Sequence, residues 1–192
     1  STNSLNASLG PDSPTEFTTF TSYFDQWTNN ADFTRSFAMP QDGSLQTSFG
    51  AEFRHEKYET KSGDEASYEN GGYFYTDGSL AGRPAAVGAQ AAIVVTREDE
   101  ADLSRNAYAA YVDLAYDVTP KLLLTAAGRF ESYDDSAGDV LSGKVSGRYE
   151  VTDWLALRGA ASNGFRAPSL AQRGFAQSST SVNLVNGQYI PI

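Results

Sequence analysis

The sequence contains no cysteine, which excludes a disulfide framework, a thiolate metal site and a cysteine nucleophile. It contains one histidine, His55, too few for a His-based zinc site. Basic residues are scarce: 14 Lys and Arg stand against 24 Asp and Glu, a formal net charge of −10. Such a chain is not built to neutralise phosphates, so no nucleic-acid partner is expected. No run reaches the roughly 18–20 apolar residues of a transmembrane helix. The first residues, Ser-Thr-Asn-Ser-Leu-Asn, have neither the basic start nor the apolar centre of a signal peptide. There is no GxSxG elbow and no HExxH pair. Long apolar stripes with helical spacing are also missing. With 40% hydrophobic and 20% charged residues, the chain is too apolar for wholesale disorder.

What is present is glycine, tyrosine and phenylalanine (17, 11 and 11), a composition suited to pleated, half-buried surfaces. The pattern is period two. In 105–118, Tyr108, Ala110, Val112, Leu114 and Tyr116 share one parity, and Arg105, Asp113 and Asp117 share the other. Thr119-Pro120-Lys121 is a turn. In 122–133, Leu122, Leu124, Ala126 and Phe130 oppose Arg129 and Glu131. In 140–151, Leu141, Val145, Tyr149 and Val151 oppose Lys144, Arg148 and Glu150. In 154–165, Leu155 and Leu157 oppose Arg158. Earlier, 44–58 sets Leu45, Phe49, Ala51 and Phe53 against Glu52, Arg54 and Glu56. A strand over 31–39 precedes it, 16–27 is a further candidate, and the first dozen residues read as loop. His55 falls on the apolar parity near one strand end, a place for an interfacial residue rather than a base.

These strands run to about 12 residues, against a mode of about 5–6 in globular proteins. A tilted transmembrane strand needs about 9–11. The connections 40–43, 119–121 and 152–153 are tight, whereas 59–104, 134–139 and 166–192 are longer, and in an up-and-down meander the two classes fall on opposite ends. Outer-membrane barrels show that asymmetry, with short periplasmic turns and long extracellular loops. Tyr108 and Tyr116 flank the apolar stretch as interfacial girdles do. Alternation by itself leaves a soluble β-sandwich or barrel open, because both have one apolar and one polar face.

A more specific signal lies in Arg158–Leu170, RGAASNGFRAPSL. This segment resembles the strand and loop that carry the "gFRAPsl" pattern in the C-terminal barrel region of TonB-dependent outer-membrane receptors. GRFESYDDSAG (128–138) resembles the family's "R-E-Y-sDfG" strand end, and 139–159 the hairpin that follows. GAEFRHEKY (50–58) and RNAYAAYVDL (105–114) resemble two further strands. The resemblance runs in order from about 31 to 175. One departure is the missing aromatic in Asp134-Asp135-Ser136-Ala137-Gly138, which puts the shape of that loop in doubt.

The resemblance implies an all-β antiparallel up-and-down meander, part of a transmembrane barrel of about 22 strands with a plugged lumen. It implies the outer membrane, energised uptake of iron–siderophore complexes, cobalamin or similar ligands, and a TonB partner reached through a plug and TonB box. No such segment is found in 1–192, so the chain is expected to be one partial domain. A soluble β-rich binding module and an outer-membrane barrel enzyme are the alternatives. No catalytic residue, cofactor or metal centre is expected.

Within a barrel, Glu52, Arg54, Glu56, Asp113, Arg129, Glu131, Lys144, Arg148, Glu150 and Arg158 are expected to face the lumen. A mid-membrane Arg or Lys facing lipid costs about 2–4 kcal/mol. There they form a solvated ladder that stiffens the wall or docks the plug. The loop 59–104 holds nine acids and three bases, −6 of the total −10. Without EF-hand spacing it reads as a solvated acidic loop. Tyr68, Tyr73, Phe74 and Tyr75 in it are candidate ligand contacts, or they pack the loop. Arg166 is placed to pair with loop acids or an anionic ligand. Pro168 removes a ladder donor and keeps Ala167 extended, which ends the last strand.

Overall fold

The computed structural model describes residues 1–40, 42–90 and 92–176, with the backbone of 182–185 and 188–191. Strands β1 (Thr2–Asn3) and β2 (Glu16–Phe17) pair antiparallel. Then follow β3 (Phe20–Ala38), β4 (Ser44–Ser62), β5 (Ala101–Thr119), β6 (Leu122–Tyr133), β7 (Asp139–Thr152) and β8 (Leu155–Asn163). These six form one antiparallel meander in the order β3-β4-β5-β6-β7-β8. Helix α1 (Leu170–Gly174) is next, and β9 (Val182–Val185) pairs with β10 (Gln188–Pro191) inside the stretch expected to be loop.

Strands β3, β4 and β5 are longer than the periodicity predicts. β3 is one unbroken strand of 19 residues, not a short strand over 31–39 with a separate segment before it. Asn29 and Asn30, a residue type that favours turns, lie inside it. Trp27, Phe33 and Phe37 nevertheless hold one parity across them, and pairing overrides local preference. β4 and β5 are also 19 residues each, so the connection between them is 63–100. β8 stops at Asn163, before Phe165. There the Asn163 side chain takes the ladder's place: Oδ1 accepts from Gly143 N at 2.8 Å and Nδ2 donates to Leu141 O at 3.1 Å.

Register sorts the side chains. Tyr111↔Arg129, Arg129↔Ser142, Leu123↔Arg148 and Arg148↔Arg158 are direct partners, so Arg129, Glu131, Arg148 and Arg158 share one face. Tyr116↔Leu124, Ala126↔Val145 and Tyr149↔Leu157 lie on the other. On that second face Phe33, Phe49, Tyr108, Leu141, Val145 and Leu157 are exposed by 52–71%. An apolar face of that extent must be covered in the working state. Phe33 stacks on Phe49 at 5.5 Å. Charges on this face sit towards strand ends: Asp139 starts β7, and near the turn end of β3 the Arg35 guanidinium lies 5.2 Å from the Phe37 ring centroid.

On the charged face one glycine is required. A Cβ on Gly50 would lie 2.6 Å from both Tyr111 Cε1 and Asp32 Oδ1. The Tyr111 ring crosses that gap and its hydroxyl donates to Asp32 Oδ1 at 2.5 Å, tying β5 across β4 to β3.

The chain divides into two compact units. One is Gln26–Glu56 with Ser104–Ser169, the charged and apolar sheet just described. The other is Ser1–Asp25, Lys57–Leu103 and Leu170–Ile192. Its core is Phe17, Ala89 and Val94, with Ala66, Tyr68 and Ala92 against it. The first dozen residues are not a free loop. Fully buried Asn6 donates through Nδ2 to the carbonyls of Ala66 and Glu69, both at 2.9 Å, and accepts at Oδ1 from Gly88 N at 3.1 Å. Beyond β4, Asp64 N donates to Thr18 O at 2.7 Å, and Thr18 N donates back to Asp64 Oδ2 at 2.7 Å.

Gly63 makes this contact possible, since a Cβ there would lie 1.9 Å from Thr18 O. Gly63→Ala is expected to cost about 1–3 kcal/mol locally. Amide exchange checks it: the Asp64 N–H should lose protection while amides of β6 and β7 keep theirs.

Candidate functional site

Seven charged residues of β4, β5, β6 and the 134–138 turn form one connected object. Glu131 pairs with Arg129 at 3.0 Å, and Arg129 with Glu52 at 3.3 Å. Arg54 lies 3.6 Å from Glu52 and 3.7 Å from Glu56. Glu56 Oε2 accepts two bonds from Arg105, from Nε at 2.9 Å and from Nη2 at 2.5 Å. Arg105 Nη1 continues to Asp135 at 3.5 Å. The result is an alternating row, Glu131, Arg129, Glu52, Arg54, Glu56, Arg105, Asp135, with opposite signs at every step. Oppositely charged neighbours on one face, along a strand and across strands, produce such a row.

The Arg105 end of the row is its most buried part. The Arg105 side chain is 3% exposed and that of Asp135 is 10% exposed. Nη1 also donates to the Pro168 carbonyl at 2.9 Å, and the guanidinium sits 5.0 Å from the Tyr133 ring centroid. Arg105 therefore joins β4, β5, the 134–138 turn and the segment after β8. Asp135 is held in turn, since its Oδ1 accepts from Ala137 N at 2.8 Å. Beside this cluster is a polar cleft of about 380 Å³, lined by Arg54, Glu56, Glu131, Tyr133, Phe165 and Arg166 among others.

The other lumen candidates stand apart from the row. Arg148 pairs with Glu150 on β7 at 2.5 Å. Among the described residues, Asp113, Lys144 and Arg158 make no ion pair. Arg158 lies directly opposite Arg148, a like-charge pairing. Arg166 is exposed and has no ion pair among the described residues, so the expected pairing with loop acids is not seen there.

The loop aromatics divide by environment. Tyr68 packs on the Phe17 core. Tyr73 covers Gly10 and meets Tyr75 edge-on at 6.4 Å. Phe74 alone of the four is exposed, at 55%. It lies on a small finger in which Tyr75 N donates to Arg83 O at 3.0 Å and Ala85 N to Tyr73 O at 2.9 Å.

Sequence reasoning placed Arg105 on the polar parity but missed it as the hub, along with Asp135, Tyr133 and the Pro168 carbonyl. The signal was available, because 128–138 and 158–170 were the most motif-like stretches. The arrangement is an ionic lattice beside a polar cleft. Among the described residues no three metal-ligating side chains gather together.

At the base of the 63–100 connection, Glu100 Oε1 accepts from Ser62 N at 2.9 Å and from the Ser62 hydroxyl at 2.5 Å. These bonds, the hydroxyl's first, hold the Glu100 carboxyl below its ordinary value. A lowered folded-state pKa gives stability that is complete above the unfolded value, about 4.3 for Glu, and lost as pH falls through the folded value. Protection of the Ser62 amide in the wild type relative to Glu100→Gln should thus be high at pH 7 and fall towards one below pH 4 in hydrogen-exchange measurements.

A second test concerns Arg105. Arg105→Met removes the buried donors that Glu56 and Asp135 share and should destabilise by about 3–5 kcal/mol. Arg105→Met with Glu56→Gln should cost less than the sum of the single changes. Urea titration, run as a double-mutant cycle, reads the coupling.

A family model described as "TonB dependent receptor-like, beta-barrel" matches residues 1–189. No curated protein and no solved structure matches the chain.

Proposed function

The chain belongs to the TonB-dependent receptor β-barrel family, and from that premise we propose that it forms part of the wall and outer loops of a receptor for energised uptake of iron–siderophore complexes, cobalamin or similar ligands. TonB is the partner that supplies energy, and outer-membrane lipid surrounds the wall. The observation that carries the reading is the two-sided sheet, ionic on one face and exposed and apolar on the other. In this reading Glu52, Arg54, Glu56, Asp113, Arg129, Glu131, Lys144, Arg148, Glu150 and Arg158 face the lumen, and the Trp27, Phe53, Tyr108 and Val145 face meets lipid.

Dimensions support it. Tyr108 and Tyr116 bracket eight residue steps, about 26 Å of strand at ~3.3 Å per residue, or about 20 Å after a barrel tilt. Outer-membrane barrels carry an apolar band about 25 Å tall between aromatic girdles. Connections 39–43, 120–121 and 153–154 are short and lie at one end. The 63–100 connection and the segment after β8 lie at the other.

Recognition is assigned to the outer loops 59–104 and 166–192, with Phe74 and Arg166 as the most accessible contacts. Tyr68, Tyr73 and Tyr75 pack within the loop's own unit. Loops on a rigid scaffold carry function. Deleting 64–100 from the intact receptor should weaken ligand binding at least about tenfold, a loss of ~1.4 kcal/mol or more. Heat-modifiable migration should stay that of a folded barrel. Unchanged affinity in a folded barrel would move recognition to the lumen wall.

A further inference from the structure

Above the aromatic row of the apolar face stands a group of polar side chains that the ionic lattice does not use. Trp27 and Phe53 meet at 5.9 Å, and Phe53 and Tyr108 at 5.1 Å, which makes a continuous aromatic row over β3, β4 and β5. Two residues further out on the same parity come His55 and Asn106, and beside them Asp134. Asn106 Nδ2 donates to Asp134 Oδ2 at 2.7 Å, and Asn106 N to Asp134 Oδ1 at 2.8 Å. The first bond fixes the amide's orientation, so Asn106 Oδ1 is the atom turned to His55 Nδ1, 2.8 Å away. An amide oxygen only accepts, so Nδ1 carries the hydrogen. Neutral His55 therefore has its lone pair on Nε2. That atom has no hydrogen-bond partner among the described residues. The relay ends on a carboxylate, which favours a donor or a positive charge at the free nitrogen.

Resting on the lipid-facing reading of this face, we infer that His55 Nε2 accepts a hydrogen bond from the N–H or O–H of a lipid headgroup at the outer rim of the apolar band. Position and chemistry both carry this. Interfacial aromatics mark headgroup level, and the relay presents an oriented acceptor immediately beyond them. A headgroup with only phosphate acceptors offers nothing to that lone pair.

The test uses the intact receptor in nanodiscs of phosphatidylcholine mixed with phosphatidylethanolamine or with phosphatidylglycerol. Lipids retained on the protein are counted by native mass spectrometry. Ethanolamine offers an ammonium donor, glycerol offers hydroxyls, and choline offers neither. The wild type should enrich at least one donor lipid about two- to tenfold over choline lipid, the factor one hydrogen bond supplies. His55→Phe, which keeps a ring and removes both nitrogens, should abolish the enrichment, and Asn106→Leu should reduce it. Enrichment with ethanolamine alone identifies the ammonium; enrichment with both identifies a general donor. Absence of a preference in the wild type overturns the inference, and so does a preference that survives in folded His55→Phe. The wild-type comparison stands if a variant does not fold. Brominated acyl chains separate the underlying reading: the fluorescence lost on Trp27→Phe should be quenched by them, and if it is not, the lipid-facing assignment itself fails.

Discussion

A guanidinium that is almost fully buried tolerates few arrangements. Arg105 has lost its water and must find acceptors, and it finds Glu56 on β4, Asp135 in the turn after β6 and the carbonyl of Pro168 beyond β8. These come from three separate stretches of chain. Removing any one leaves charge or donor capacity stranded at low dielectric. The alignment of β4 with β5, the shape of the 134–138 turn and the path of 166–169 are thereby set together. Further along the strands the row relaxes into more exposed pairs, where geometry is looser and each contact is worth less.

The two units solve different problems. The unit with 1–25 and 57–103 has a small core around Phe17 and Val94 and a buried Asn6 that satisfies backbone groups of the 63–100 connection. It is stabilised as soluble domains are, by burial and by satisfied polar groups. The sheet unit is held by its ladder, its ionic row and cross-strand tethers such as Tyr111 over Gly50. Its apolar side chains gain nothing until something apolar meets them. In the receptor reading lipid takes that role, and the polar group at His55 marks where that environment ends.

Much of this was legible in the sequence. Period-two charge placement gave the parity of every strand from β4 to β8, because a one-residue slip would move each charge to the apolar face. Strand ends were less legible. Asn29-Asn30 looks like a turn locally, and only pairing with β4 keeps it extended. Residues 59–62 carry polar side chains on both parities, and in 101–104 Ala101 and Leu103 take the parity that carries the charges further on, so the alternation fades or reverses while the backbone ladder continues. The role of Arg105 was hidden because parity says which way a side chain points and not how deeply it is buried. The N-terminal module was hidden for a related reason: Asn6 finds Ala66 and Glu69 some sixty positions away, a contact no local pattern encodes.

The direct opposition of Arg148 and Arg158 has an electrical consequence. In the alternating row neighbouring charges largely offset one another. On β7 and β8 Lys144, Arg148 and Arg158 share one face with a single carboxylate, Glu150. That stretch keeps a net positive charge, and its potential extends to about the Debye length, ~8 Å at physiological salt. The same wall is thus net negative on β4–β6, where Asp113 and Asp117 add to a row that already holds one more acid than base, and net positive on β7–β8.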